Sequence, residues 1–99
     1  MTVFAVQEVE GRNLLPAKEF GEVVFLLPPR TNIMFAPKPT TSRIRYGLRG
    51  FTQEDYLLLI GDPVAIGVAT AEAFRNTPTV KFLKWDNREH KYYPVEVEL

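Results

Sequence analysis

The sequence contains no cysteine and only one histidine among its 99 residues, and these scarcities exclude several kinds of site. Without cysteine there is no disulfide, no thiolate metal site and no thiol nucleophile, so a reducing cytoplasm is the expected compartment. A metal site with several histidine ligands cannot form within one subunit. Ser42 is the only serine and His90 the only histidine, so a serine triad would have to recruit both of them.

Export and membrane features are also missing. The first ten residues are acidic and lack the basic start of a signal peptide, so no export signal is expected. The longest apolar stretch, 56–73, is interrupted by Asp62-Pro63 and cannot serve as a spanning helix, which predicts no membrane partner. Because apolar residues make up 45% and aromatic residues 12% of the chain, we expect one folded domain over residues 1–99.

No common catalytic motif is present. The chain lacks Gly-x-Ser-x-Gly, His-Glu-x-x-His, a phosphate-binding Walker loop and a dinucleotide-type glycine pattern. We therefore predict a non-enzymatic protein with no cofactor and no metal. A small hydrolase or nuclease that uses Asp55, Asp62 or His90 is the minority alternative.

The charges are unevenly distributed along a chain whose net charge is zero. Residues 1–22 hold four acids and two bases, a net of −2, and residues 54–99 hold eight acids and five bases, a net of −3. Residues 23–53 hold no acid and five bases, a net of +5. Such a segment is typical of a surface that contacts phosphate groups.

The pattern of apolar residues predicts an α+β fold, with a mostly antiparallel sheet of about five or six strands and one main helix. Asp62 is a preferred N-cap and Pro63 suits the first helical position, so the helix is expected over about 63–75. A C-terminal β-hairpin is expected around the polar turn 86–89. The remaining prolines and threonines predict a long loop over 28–42. The predicted strands are 2–10, 22–27, 43–49, 56–60, 79–85 and 90–97, with a helix over 53–60 as an alternative for the fourth.

The segment 43–49 carries the main functional hypothesis. It alternates strictly, which as a strand would place three arginines on one face and apolar residues on the other. Arginine binds phosphate oxygens in a bidentate manner, and nearby aromatic rings (Tyr46, Phe35, Phe51) could stack on bases. The alternative, weighed equally, is that the arginines pair with acids of the same domain. The predicted ligand-binding residues are Arg43, Arg45, Arg49, Tyr46, Lys38 and Arg30.

The predicted helix is apolar nearly all round, which indicates burial on more than one side. It carries two rows of small residues, of which one would pack on the sheet and the other against a second copy of the chain. A dimer is therefore expected, unless the loop 28–42 covers the second side. The predicted interface residues are Ala65, Ala69 and Ala73 in one row and Gly67 and Ala71 in the other.

Three stretches of the C-terminal half, namely 55–67, 80–86 and 92–97, resemble small phage-encoded proteins of unassigned activity. The resemblance implies expression in an infected bacterial cytoplasm, where such proteins bind nucleic acid, nucleotide signals or a host protein. The sequence as a whole thus predicts a binding protein for single-stranded nucleic acid or a phosphorylated nucleotide. The alternative is an oligomeric module that binds or inhibits a host protein through the apolar helix or the Trp85–Tyr93 hairpin.

Overall fold

The computed structural model describes all residues, 1–99, as a five-stranded mixed sheet with helices on both faces. The strands lie in the order β2-β1-β3-β4-β5. None of the helices has the length and hydropathy needed to cross a membrane. The elements in chain order are β1 (Thr2–Gln7), a 3₁₀ helix (Leu15–Phe20), β2 (Glu22–Leu27), α1 (Pro37–Gly47), β3 (Tyr56–Leu58), α2 (Pro63–Asn76), β4 (Thr79–Asp86) and β5 (Lys91–Glu98).

The sheet is mostly parallel, so the antiparallel prediction is wrong. β1 pairs in parallel with both β2 and β3, β3 pairs in parallel with β4, and only the C-terminal hairpin β4–β5 is antiparallel. Each parallel pair needs a crossover, which the 3₁₀ helix, α1 and α2 supply in turn. The strand order is that of a doubly wound sheet, and β1 and β3 form its switch point. The α+β composition and the C-terminal hairpin are confirmed.

α1 replaces two predicted elements, the end of the loop 28–42 and the basic strand 43–49. Pro37 occupies the first helical position, where its missing N–H has no intrahelical partner to lose. Thr40, Ile44 and Leu48, at a spacing of four, are all buried against the sheet or α2. The alternation of 43–49 fits a strand equally well, but in the helix the row at a spacing of four buries Ile44 and Leu48 completely.

α2 confirms the predicted helix and its start. The Asp62 side chain accepts hydrogen bonds from the backbone N–H groups of Val64 at 2.8 Å and Ala65 at 3.3 Å. α2 packs its first small-residue row, Ala65, Ala69 and Ala73, on the sheet. These residues are fully buried inside the subunit, so they are excluded from an oligomer interface. The second row, Gly67 and Ala71, is exposed.

The two faces of the sheet are covered unequally. On one face α1 and α2 lie side by side and bury a cluster that includes Val6, Leu57 and Val80. α1 lies beside α2 but leaves the second small-residue row of α2, Gly67 and Ala71, exposed. The other face is covered mainly by the 3₁₀ helix, whose Ala17 packs among Val3, Ala5, Leu58 and Tyr92. The chain therefore has two α-helices and a 3₁₀ helix where one main helix was predicted.

Candidate nucleic-acid interface

The exposed face of α1 is basic and contains no acid. Lys38, Ser42 and Arg45 are separated by four and three residues, so they lie one above another on one side of the helix. They line a shallow groove of about 380 Å³ together with Pro37 and Thr41. A lysine, an arginine and two hydroxyl groups along one groove are the donors that phosphate oxygens accept from.

The helical geometry redistributes the three arginines that a strand would have aligned. Side chains two residues apart on a helix point in directions that differ by about 200° around its axis, so Arg43 lies on a different side of α1 from Arg45. Arg49 follows the helix in the next turn, with its guanidinium carbon 3.8 Å above the centroid of the Tyr46 ring. Its Nη1 also donates to the Tyr46 carbonyl at 2.7 Å. The cations therefore surround the exposed side of α1 instead of forming a single row.

Glu72 of α2 neutralises part of this surface. Arg45 Nε lies 3.1 Å and Arg75 Nη1 lies 3.4 Å from the same carboxylate oxygen. The carboxylate is nearly buried, whereas the Arg45 and Arg75 side chains are 58% and 67% exposed. The exposed part of the cluster is therefore cationic even though its acid is paired. Arg45 thus pairs with an acid of the same domain, which was the alternative expected from the sequence, and it is the only predicted arginine of α1 that does so.

Arg30 lies apart from the α1 surface. It follows β2 at the edge of the sheet where the parallel strands end, and it adopts a left-handed backbone with φ of +65°. Its guanidinium forms an exposed ion pair with Glu10 at 2.9 Å. Of the predicted ligand-binding residues, α1 and the turn after it bring five together, and they leave Arg30 at another edge of the molecule.

Two of the three predicted aromatic platforms are accessible. Tyr46, one helical turn after Ser42, is 66% exposed, and Phe35, two residues before α1, is 81% exposed. Phe51 is buried and packs against Phe4 with a centroid distance of 5.7 Å, so it is not available for stacking. Exposed aromatic rings next to cations are the combination that single-stranded nucleic acid recognition uses.

The residues of the hydrolase alternative do not form one site. Asp55 lies before β3, where its carboxylate accepts from the backbone N–H groups of Thr2 at 3.0 Å and Thr52 at 2.9 Å. Asp62 lies beyond the other end of β3 and caps α2. His90 lies in the β4–β5 turn. No group of three or more histidine, aspartate or glutamate side chains is placed to hold a metal ion.

The chain matches the family model described as phage Pam3 gp32-like protein over residues 1–99, and it belongs to that family. The phage origin implied by the resemblance is thereby confirmed. No curated protein and no solved structure matches the chain.

Proposed function

We propose that this phage-family protein binds single-stranded nucleic acid through the exposed face of α1 and the turn that follows it. The observation that carries the proposal is the cluster of Lys38, Arg43, Arg45 and Arg49 beside the exposed ring of Tyr46, in a segment that contains no acid and in which only Arg45 pairs with an acid of another element. The cations would contact phosphates, and the exposed rings would stack on unpaired bases. Binding needs no catalytic group, so the proposal retains the prediction of a non-enzymatic protein.

The strength of the proposed contact can be bounded from its charges. Each phosphate contact on a single strand lowers log K by about 0.7 for each tenfold rise in salt. Four cations therefore give a slope of at most about −3. A neutral chain has no general attraction to polyanions, so almost all of this salt dependence should come from the α1 surface.

The proposal is tested with a fluorescein-labelled oligothymidylate and fluorescence anisotropy at several salt concentrations. Lys38 and Arg43 form no ion pair, so K38Q/R43Q removes two cations without leaving a carboxylate unpaired. We expect the slope to fall by about 1.4 and the affinity at low salt to fall at least tenfold. The matched control, K18Q/R88Q, removes two exposed, unpaired cations elsewhere and should bind as the unmodified protein does. Equal losses in both double variants would refute α1 as the interface.

A second candidate function, protein interaction, is favoured by the outer edge of β2. This edge has no strand partner, carries no charge from Val23 to Leu27, and exposes Val24 and Phe25 by 39% and 38%. The opposite edge strand, β5, carries Pro94 and three charged residues, which discourage pairing with another strand. We propose that a second copy of the chain, or a strand of a host protein, pairs with β2.

Light scattering at micromolar concentrations tests the self-association form of this second proposal. A dimer through β2 should have about twice the 11.3 kDa mass of the chain, and Val24→Lys should return it to the monomer. Ala71→Glu on the exposed row of α2 is the matched control and should leave the mass unchanged. Monomeric unmodified protein across this range would refute self-association.

A further inference from the structure

An apolar slot opens where β3 ends and β4 continues alone. Leu58, the last residue of β3, pairs with Leu83, whereas β4 runs on to Asp86 with only β5 beside it. The gap that results has a volume of about 410 Å³, within the range of small-molecule sites. We call this cavity the Trp85 slot, and its walls include Leu58, Ile60, Leu83, Trp85 and Tyr92.

Two aromatic side chains form one wall of the Trp85 slot. The rings of Trp85 and Tyr92 meet edge to face with a centroid distance of 4.9 Å. Ile60, on the segment that follows β3, belongs to the same apolar cluster and lines the same cavity. A cavity between an aliphatic side chain and aromatic rings suits a flat, apolar group better than a branched or charged one.

The Tyr92 hydroxyl is an unpartnered polar group in this wall. Tyr92 is only 4% exposed, and no hydrogen bond within the protein involves its hydroxyl. The hydroxyl oxygen retains some solvent exposure, since no fully buried side-chain oxygen lacks a partner, and Tyr92 is one of the residues that line the slot. Arg12 lines the same cavity as Tyr92. Burial raises the pKa of Tyr92, and the positive charge of Arg12 partly offsets this. A neutral hydroxyl in such a position is available to donate to a ligand.

Arg12 supplies a free cation at the rim. The ion pairs of the structure use Arg30, Arg45 and Arg75, so Arg12 has no carboxylate partner. It lines both the Trp85 slot and a neighbouring polar crevice of about 670 Å³. The turn that carries it is closed by a hydrogen bond from the Arg12 N–H to the Val9 carbonyl at 3.1 Å. The guanidinium therefore stands at the boundary between an apolar and a polar cavity.

The polar crevice lies at the switch point, outside the ends of β1 and β3, where doubly wound sheets bind ligands. Gln7 holds its loops together: its amide donates to the Thr31 carbonyl at 2.9 Å and accepts from the Asp62 N–H at 2.8 Å. The walls of the polar crevice carry the carboxylates of Glu8, Glu10 and Asp62, and Arg30 is paired with Glu10. These acids outnumber the free cations, so a ligand that extends further anionic groups into the crevice would be repelled.

We propose that the Trp85 slot binds a planar aromatic ring that carries one anionic group. The ring lies between Ile60 and Trp85, the anion contacts Arg12, and the Tyr92 hydroxyl donates to the ligand. Nucleoside monophosphates and aromatic carboxylates share this chemistry. The site is independent of the α1 surface, because none of its lining residues belongs to α1.

Trp85 is the only tryptophan, so its fluorescence reports directly on the slot. Adenosine 5′-monophosphate and 3-phenylpropionate are titrated separately, with adenosine and 3-phenylpropanamide as their uncharged counterparts. We expect at least one of the two anionic probes to change the fluorescence saturably, and the one that does identifies the ligand source. Its uncharged counterpart should bind about tenfold more weakly, as should the Arg12→Gln variant with the anionic probe.

Two variants distinguish binding in the Trp85 slot from non-specific quenching of the Trp85 fluorescence. Tyr92→Phe retains the ring and should weaken binding severalfold, and Arg88→Gln, an exposed arginine at the same edge, should leave it unchanged. No saturable change with either anionic probe would overturn the proposal. So would equal binding of the anion by the unmodified protein and Arg12→Gln. Binding of adenosine 5′-triphosphate as tight as that of the monophosphate would overturn the assignment of a single anionic group.

Discussion

Neutralising Glu72 should cost stability and strengthen binding at the same time. Glu72 is 8% exposed, and it is the acid that contacts both Arg45 of α1 and Arg75 of α2. Glu72→Gln retains the size of the side chain and one oxygen that can accept from Arg45 at 3.1 Å, and it removes the charge. Because both arginines are more than half exposed, screening limits each ion pair to less than about 1 kcal/mol. The expected loss is about 1–2 kcal/mol in the free energy of unfolding, or about 5–10 °C in Tm for a domain of this size.

The same substitution removes the negative charge that competes with phosphate for Arg45 and Arg75. With one or two more phosphate contacts, the slope of log K against log salt should steepen by about 0.7–1.4, and oligothymidylate should bind more tightly at low salt. Circular dichroism melting measures the stability, and fluorescence anisotropy measures the binding. Glu54→Gln, an exposed and unpaired carboxylate, is the matched control and should change neither. A folded Glu72→Gln variant that binds no more tightly than the unmodified protein would show that Glu72 does not limit phosphate binding by Arg45 and Arg75.

The remaining predictions concern the scaffold. Gly61→Ala should lower the free energy of unfolding by about 3 kcal/mol, because φ is +110° there and the new Cβ would overlap the Gln7 side chain. Gly11→Ala should lower it by only about 1 kcal/mol, because φ is +81° but the space around the residue is open. Urea unfolding measures both values. Ala69→Glu should unfold the chain because the residue is fully buried, and circular dichroism should show a folded Ala71→Glu variant. The free energy of unfolding should fall above about pH 10, because unfolded Tyr92 ionises there while the folded tyrosine, whose pKa is raised, keeps its proton; Tyr92→Phe should reduce this fall.

Local signals in the sequence were sufficient for some elements. Asp62-Pro63 marks the start of α2 because the cap and the proline act within one turn, and the hairpin β4–β5 follows from a short polar turn. The direction of the other strands depends on crossovers between distant residues, such as the pairing of Val3 with both Val23 and Tyr56. The continuous apolar runs 23–27 and 56–60 are typical of parallel strands that are covered on both faces, so the sequence did hold local evidence against the predicted antiparallel sheet.

The basic segment shows where a short pattern is ambiguous. Arg43 to Arg49 alternates as a strand does, and the opposing signal, Pro37 followed by the spacing of Thr40, Ile44 and Leu48, extends beyond the alternating window. The charge of the segment was predictable, whereas its arrangement was not. The Trp85 slot was missed for a different reason, since Arg12 and Tyr92 are 80 residues apart and only the tertiary fold brings them together.

Amide chemical-shift mapping of the ¹⁵N-labelled protein, titrated with oligothymidylate, tests directly whether α1 binds single-stranded nucleic acid. The proposed interface predicts that the largest changes fall on residues 35–49, with the N–H groups around Lys38, Ser42 and Arg45 foremost. Residues of the Trp85 slot should stay unperturbed in this titration. Changes concentrated at the slot or on β2, with residues 35–49 unaffected, would contradict the central claim that α1 binds nucleic acid.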